Sequence, residues 1–235
     1  MGRVPAKPTV ISVLRSSTLL NSVRTEDLEE LTRSAHLAFA ERGEIIWLGG
    51  TPVDFFGLVG TGFVKMVQGT AHGHEITHEI MGPGQIFGML GMIEGTGCPL
   101  SARAVTHVWY LKVPKREFFP VYEQNVVLKD HVVRRTTGRL RKAHEMLALV
   151  STGTVESRVA AVLVMLAESY GRPTEADAVV IDVPLTRQDV AEMAGTTVES
   201  TIRVMSKWQK AGLVETQSKF ITISDLDRLA QAMRI

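Results

Sequence analysis

Read as apolar and polar positions, the chain changes period twice. Between about Ala38 and Lys112, short runs rich in Val, Ile and Phe alternate with glycine-bearing turns: "GEIIWLGG", "DFFGLVGTGFVKMVQG", "HEITHEIMGPGQIFG" and "SARAVTHVWYLKV". Strand-length runs with glycine punctuation predict an all-β barrel or sandwich. Ahead of them, "TEDLEELTRSAHL" predicts one short helix, with Thr25 as N-cap, acids in the first turn and Leu28, Leu31 and Ala35 on one face. After "PKREFFPVY" the period becomes helical, from about Asn125 to Val150. "STGT" reads as a hinge. "TVESRVAAVLVMLAESYG" predicts a second helix begun by Thr154 and ended by Gly171, "RPTEADA" a loop, and "VVIDVPL" a strand. The chain closes with a hairpin in "LVETQSKFITISDLDRLAQAM" and a helix capped by Ser224. The division expected is a tail over 1–24, a β domain over 25–124, a long helix over 125–150 and a helical domain with a hairpin over 151–235.

On the long helix Val133, Thr136, Leu140, Ala143, Leu147 and Val150 recur at alternating spacings of three and four, a heptad-like seam. Such a stripe can pack on its own β domain. The length of the helix and its basic other face (Arg134, Arg135, Arg139, Arg141, Lys142) favour a parallel dimer helix instead.

The segment "LTRQDVAEMAGTTVESTIRVMSKWQKAGLVET" (Leu185–Thr216) stops a helix at one glycine and starts another at two threonines. Thr186 caps the first helix, Val190, Ala191 and Ala194 share a face, and Gly195 supplies the left-handed turn. "TTVE" predicts a capping box from Thr196 to Glu199. The second helix is expected to bury Val198, Met205, Trp208 and either Ile202 or Thr201. Two short helices across a glycine turn are a helix-turn-helix, and the "GLVE…KFITI" hairpin is a wing. The same pattern fits any pair of antiparallel helices, and local charge does not decide: Val155 to Ile235 carries nine Lys/Arg against eleven Asp/Glu. Placement does, since Arg203, Lys207 and Lys210 lie along the second helix and Arg187 and Gln188 open the first, where they can meet base edges and phosphates.

Composition narrows the rest. With 235 residues, 45% hydrophobic content and a formal charge of +1, the chain can build one or two cored domains, and bulk charge names no partner. The start "MGRVPAKPTV" lacks the apolar run of a signal peptide, and no apolar stretch approaches a membrane span, so a cytoplasmic protein without membrane contact is expected. One cysteine, Cys98, excludes a disulfide framework and any site built from several cysteines of one chain.

The order of elements, with "GPGQIFG" in the β domain and "TRQDVAEMAGTTVESTIRVMSKWQKAGLVE" in the helical one, resembles the cyclic-AMP receptor protein / fumarate-nitrate reduction regulator (CRP/FNR) family of bacterial transcription regulators. The resemblance implies an α+β fold: a β-roll of the cyclic-nucleotide-binding type, a dimerisation helix, and a C-terminal winged helix-turn-helix. It implies a homodimer on an inverted-repeat operator in double-stranded DNA, and RNA polymerase as partner if the chain activates. Glu199 and Arg203 match the family positions that read base edges, which suits Arg bidentate to guanine and Glu accepting from cytosine. Thr197, Ser200 and Lys207 complete the DNA-binding set, with Arg187 and Gln188 near the backbone. Position 202 departs, since Ile202 stands where the fumarate-nitrate branch has serine.

The family's effector pocket maps onto Phe87, Gly88, Met89, Leu100 and Ser101, with Ala143 and His144 on the long helix. Its cyclic-nucleotide form needs a glutamate after "FG" and an arginine before a Ser/Thr-Ala pair. Met89 stands at the first position, and Pro99 and Leu100 precede Ser101-Ala102, with Arg103 across the strand. A buried phosphate there lacks its charge-assisted bonds, so cyclic AMP is not expected as effector. The single cysteine speaks against the iron–sulfur cluster of the oxygen-sensing branch. The histidines leave haem open, and with it a gas-sensing regulator. His72, His74 and His78 flank one hairpin, but exposed hairpin histidines read as solvated, and no metal site is assigned. Cys98 reads as a small buried hydrophobe before a redox-sensitive thiol, His144 as a surface residue, and Met81, Met89 and Met92 as core filler. No nucleophile–base pair or phosphate loop suggests an enzyme. The alternative class is a ligand-binding or interaction module of the same ancestry that no longer binds DNA.

Overall fold

Residues 4–20, 23–70, 73, 75–175 and 177–233 are described by the computed structural model, and the chain divides into two units, Met1–Gly138 and Arg139–Ile235. The first carries two four-stranded antiparallel sheets. One has the order β1-β8-β3-β6, from β1 (His36–Ala40), β8 (Val108–Pro114), β3 (Phe55–Thr61) and β6 (Ile86–Phe87). The other has the order β2-β7-β4-β5, from β2 (Ile45–Trp47), β7 (Ser101–Ala104), β4 (Val64–Gly69) and β5 (Glu75–Met81). Period-2 alternation sorts the side chains. Val59, Val108, Tyr110 and Phe87 from the first sheet meet Trp47, Val64, Met66, Met81, Ala102 and Ala104 from the second in one buried cluster.

The opposite face of the first sheet presents Phe56, Leu58, Leu111 and Val113 to helices. Those helices are α1 (Val10–Ser16), α2 (Thr25–Ser34), α3 (Met89–Glu94), α4 (Lys115–Gln124) and the start of α5 (Val126–Thr152). Residues 1–24 are therefore not a tail throughout. Thr9 and Ser12 form a reciprocal capping box, and Val13 and Leu14 are buried in this cluster. Their apolar run is too short for a periodicity signal and gains its burial from the sheet. Thr25 is the first helical residue and Arg24 the N-cap of α2. Helix already occupies "KREFFPVYEQ" as α4, with Pro120 inside it. The expected hinge also shifts, because α5 continues through Ser151 and Thr152 and the break falls at Gly153-Thr154.

In the second unit, α6 (Val155–Tyr170), capped by Thr154, is buried along most of its length. The expected loop after it contains β9 (Gly171–Pro173), which joins β10 (Val179–Ile181), β12 (Phe220–Ile223) and β11 (Val214–Gln217) in an antiparallel sheet of order β11-β12-β10-β9. Between β10 and β11 stand α7 (Arg187–Ala194) and α8 (Val198–Lys210). The last helix, α9 (Leu226–Gln231), is capped by Asp225, whose carboxylate accepts from the Arg228 amide, and not by Ser224.

Candidate nucleic-acid interface and effector pocket

Thr186 and Asp189 start α7 with two reciprocal bonds: Thr186 Oγ1 accepts from the Asp189 amide at 3.1 Å, and Asp189 Oδ2 accepts from the Thr186 amide at 2.9 Å. Gly195, at φ +57, ends α7 in the left-handed conformation that costs glycine least. Its carbonyl accepts from Arg158 Nη1 at 3.0 Å, so α6 pins the turn. The cap of α8 is Thr197, not Thr196: its hydroxyl accepts from the Ser200 amide at 3.2 Å. Thr197 and Ser200 are thus engaged with each other in the first turn, their hydroxyls 3.1 Å apart.

The faces of α8 separate cleanly. Thr201, Met205 and Trp208, at i, i+4 and i+7, are buried. Thr201 takes the inward place, its hydroxyl donating to the Thr197 carbonyl. Ile202 is 47% exposed, and it shares the solvent face with Glu199 and Arg203 at i, i+3 and i+4 spacing. Neither Glu199 nor Arg203 makes a hydrogen bond or ion pair among the described residues. A bare carboxylate, a branched apolar group and a free guanidinium on one exposed helix face can address base edges by accepting, by methyl contact and by bidentate donation.

The other expected contacts are already engaged. Lys207 Nζ lies 2.9 and 2.8 Å from the two carboxylate oxygens of Glu156 in the first turn of α6, and Trp208 Nε1 donates to the same carboxylate at 3.1 Å. Arg187 Nη2 donates to Thr216 Oγ1 on β11 at 2.9 Å, and burial lowers the pKa of its guanidinium. Gln188 donates to Glu192. The wing turn is held too, the Leu185 amide donating to the Lys219 carbonyl at 2.9 Å, while Ser218 and Lys219 both adopt positive φ. Pattern reading missed the Glu156 link, because its partners lie 51 and 52 residues away.

In the β-roll, Phe87 is fully buried between the sheets and Gly88 begins α3 at φ +79. Met89 departs from the expected pocket: it and Met92 pack in the helix-covered cluster, while Met81 fills the space between the sheets. The turn at Gly88 sets this, directing Met89 to the other side of the first sheet. Leu100 is partly buried against the interior cluster, and Ser101 Oγ accepts from the Gly49 amide at 2.8 Å. Ala143 and His144 are exposed residues of α5 in the second unit. Cys98 is buried in the interior cluster. Arg103, flanked by the inward Ala102 and Ala104, turns away from the interior and pairs with Glu75 at 2.7 Å. Tyr110 faces inward, and burial, with the Glu44 charge as a smaller cause, pushes its phenol up to about 12. His72 and His74 lie outside the described residues. His78 is exposed, with Nε2 3.0 Å from Gln68 Oε1. Among the described residues no three His, Cys, Asp or Glu side chains are grouped to hold a metal, and no helix is long and apolar enough to cross a membrane.

Known proteins share this architecture. Residues 38–125 match the cyclic nucleotide-binding domain, and residues 157–232 match the Crp-like helix-turn-helix domain. A CRP-like cAMP-activated global transcriptional regulator of Mycobacterium tuberculosis is 25% identical over 222 residues, covering 94% of this chain and 99% of that protein. The transcriptional activator protein anr of Pseudomonas aeruginosa is 25% identical over 205 residues, covering 87% of this chain and 83% of that one. In fold, the structure of FixK2 from Bradyrhizobium japonicum matches with a TM-score of 0.76 at 21% identity, over 86% of this chain and 98% of that one. A CooA mutant from Carboxydothermus hydrogenoformans matches with a TM-score of 0.74 at 18% identity, over 97% of each chain. With a cyclic nucleotide-binding domain, a long helix and a Crp-like DNA-binding helix-turn-helix in that order, the chain belongs to the CRP/FNR family of transcription regulators.

Proposed function

We propose that this regulator acts as a homodimer that reads an inverted-repeat operator through Glu199, Ile202 and Arg203, and that cyclic AMP is not its effector. The observation that carries the reading is the division of α8, with Thr201, Met205 and Trp208 inside and three unengaged side chains of complementary base chemistry outside. Dimerisation along α5 is supported by its seam. Val133, Leu140 and Leu147 are 57%, 55% and 63% exposed in the single chain, and Thr136, Ala143 and Val150 are exposed with them. A row of exposed apolar residues at heptad spacing asks for a partner helix. Two readers related by a two-fold axis suit half-sites about one DNA turn, roughly 34 Å, apart.

Three features speak against cyclic AMP. Met89 packs outside the β-roll interior, Pro99 and Leu100 precede the Ser101-Ala102 pair, and the one arginine near that pair, Arg103, is turned away and paired with Glu75. A cyclic phosphate beside the Ser101-Ala102 pair meets Leu100 and Pro99 where the family pattern asks for an arginine, so its desolvation there is not offset by a charge-assisted bond from that position. The site of action is the cytoplasm, with RNA polymerase as partner if the operator lies upstream of an activated promoter. The domains proposed are a β-roll domain that includes the docked α1, the long helix α5, and a DNA-binding domain that begins after the break at Gly153-Thr154. The test is selection of bound genomic DNA by the purified protein, with calorimetry against cyclic AMP and cyclic GMP. An inverted repeat and no specific nucleotide heat are expected. Recovery of unrelated sequences refutes the operator reading, and a saturable micromolar heat refutes the effector reading.

A further inference from the structure

Trp47 ends β2 and turns its side chain into the space between the two sheets, where it is 7% exposed. The indole stacks on Phe87 with ring centroids 5.2 Å apart and planes at 16°, and meets Phe55 edge-on at 5.7 Å and 80°. Its Nε1 donates to the Leu100 carbonyl at 3.0 Å. Its far edge lies against the bare Cα of Gly88, where a Cβ would stand 2.7 Å from the ring. Two residues on, the Gly49 amide donates to Ser101 Oγ. Phe87, Gly88, Leu100 and Ser101 are residues that the family resemblance offers to a small molecule, with Phe87 buried between the sheets and the other three half-buried. All four are occupied by the single segment Trp47–Gly49.

The arrangement is that of a ligand site. A planar aromatic group is stacked on one ring and met edge-on by another, rests on a residue with no side chain, and satisfies one partly buried carbonyl through one N–H. The occupant is part of the chain, so its local concentration does not vary with supply. An entering molecule must replace the stack and the N–H together, because expelling the indole returns a large aromatic surface to water and leaves the Leu100 carbonyl bare.

We infer that the Trp47 indole is a built-in ligand of the β-roll, standing where a diffusible effector would bind, and that operator binding needs no small molecule. The inference rests on the operator reading above and extends its effector half from cyclic nucleotides to small molecules at large.

The probe is indole itself, added to Trp47→Gly. The variant is expected to bind one indole per chain by calorimetry and to regain melting temperature with it, while the wild type does neither. Trp47→Phe, which keeps the stack and drops the donor, is expected to fold and to bind no indole. Native mass spectrometry of wild-type protein on its selected operator is expected to give the bare chain mass. A folded Trp47→Gly that takes up no indole overturns the inference. So does a small-molecule mass on the operator-bound wild type, an arm that decides the matter even if Trp47→Gly does not fold. Absence of any DNA binding by the wild type counts against the operator reading and leaves the indole titration to judge the site.

Discussion

Arg203→Ala separates a base reader from a phosphate clamp. The Arg203 side chain is exposed on α8 and has no partner among the described residues, so its loss removes nothing from the folded chain. Stability is expected to stay within about 0.5 kcal/mol of wild type, as for surface changes away from caps and networks. The cost falls on DNA. A bidentate Arg–guanine contact discriminates by about 1–3 kcal/mol, so a two-fold operator loses about 2–6 kcal/mol at its matched guanines. Against operators in which those guanines are already replaced, the variant and the wild type are expected to bind alike. The assay is equilibrium binding to a panel of single-base operator variants at two salt concentrations, with thermal unfolding as control. Equal losses across the panel, with a flatter salt dependence, refute the reasoning and make Arg203 a backbone contact.

Further outcomes follow from the structure. Lys207→Ala is expected to weaken all operators alike and to cost under about 1 kcal/mol of stability, since the Glu156 pair it breaks is exposed; Glu156→Gln, which releases the ammonium to phosphate, is expected to tighten binding to every sequence, and weaker binding refutes the competition. Leu140→Glu sets carboxylates against each other across the proposed two-fold and is expected to sediment as a monomer at concentrations where wild type is dimeric; an unchanged dimer places the interface elsewhere. Tyr110 makes stability fall at high pH: with its phenol at about 12 in the fold and near 10 when unfolded, the unfolded chain sheds the proton first. Stability is full below pH 10 and declines by at most about 3 kcal/mol toward pH 12, which urea titrations check, and Tyr110→Phe is expected to flatten that decline.

Elements whose signal is a period were legible in the residues alone. The alternation between Ala38 and Lys112 foretold strands, and Met205 and Trp208 foretold a helix with one buried face, because burial on one side selects apolar residues at the period of the element; the choice between Thr201 and Ile202 was made by the fold, which buries Thr201. The glycine turn at Gly195 was equally plain, since few other residues accept its φ. Local chemistry with two equivalent candidates was not. Thr196 and Thr197 can each cap a helix, and only the backbone, extended at Thr197 with φ −86 and ψ 157, chooses between them. Contacts that close long loops were invisible: Glu156 with Lys207, Arg158 with Gly195, and Trp47 with Leu100 are 51, 37 and 53 residues apart. No periodicity encodes such pairs. The sequence by itself determined that the span from Ala38 to Lys112 is built mainly of strands and that two short helices meet at Gly195. The tertiary structure decided that Lys207 is paired, that Met89 leaves the β-roll interior and that Trp47 fills it, because each depends on which distant surfaces the packed fold brings within contact distance.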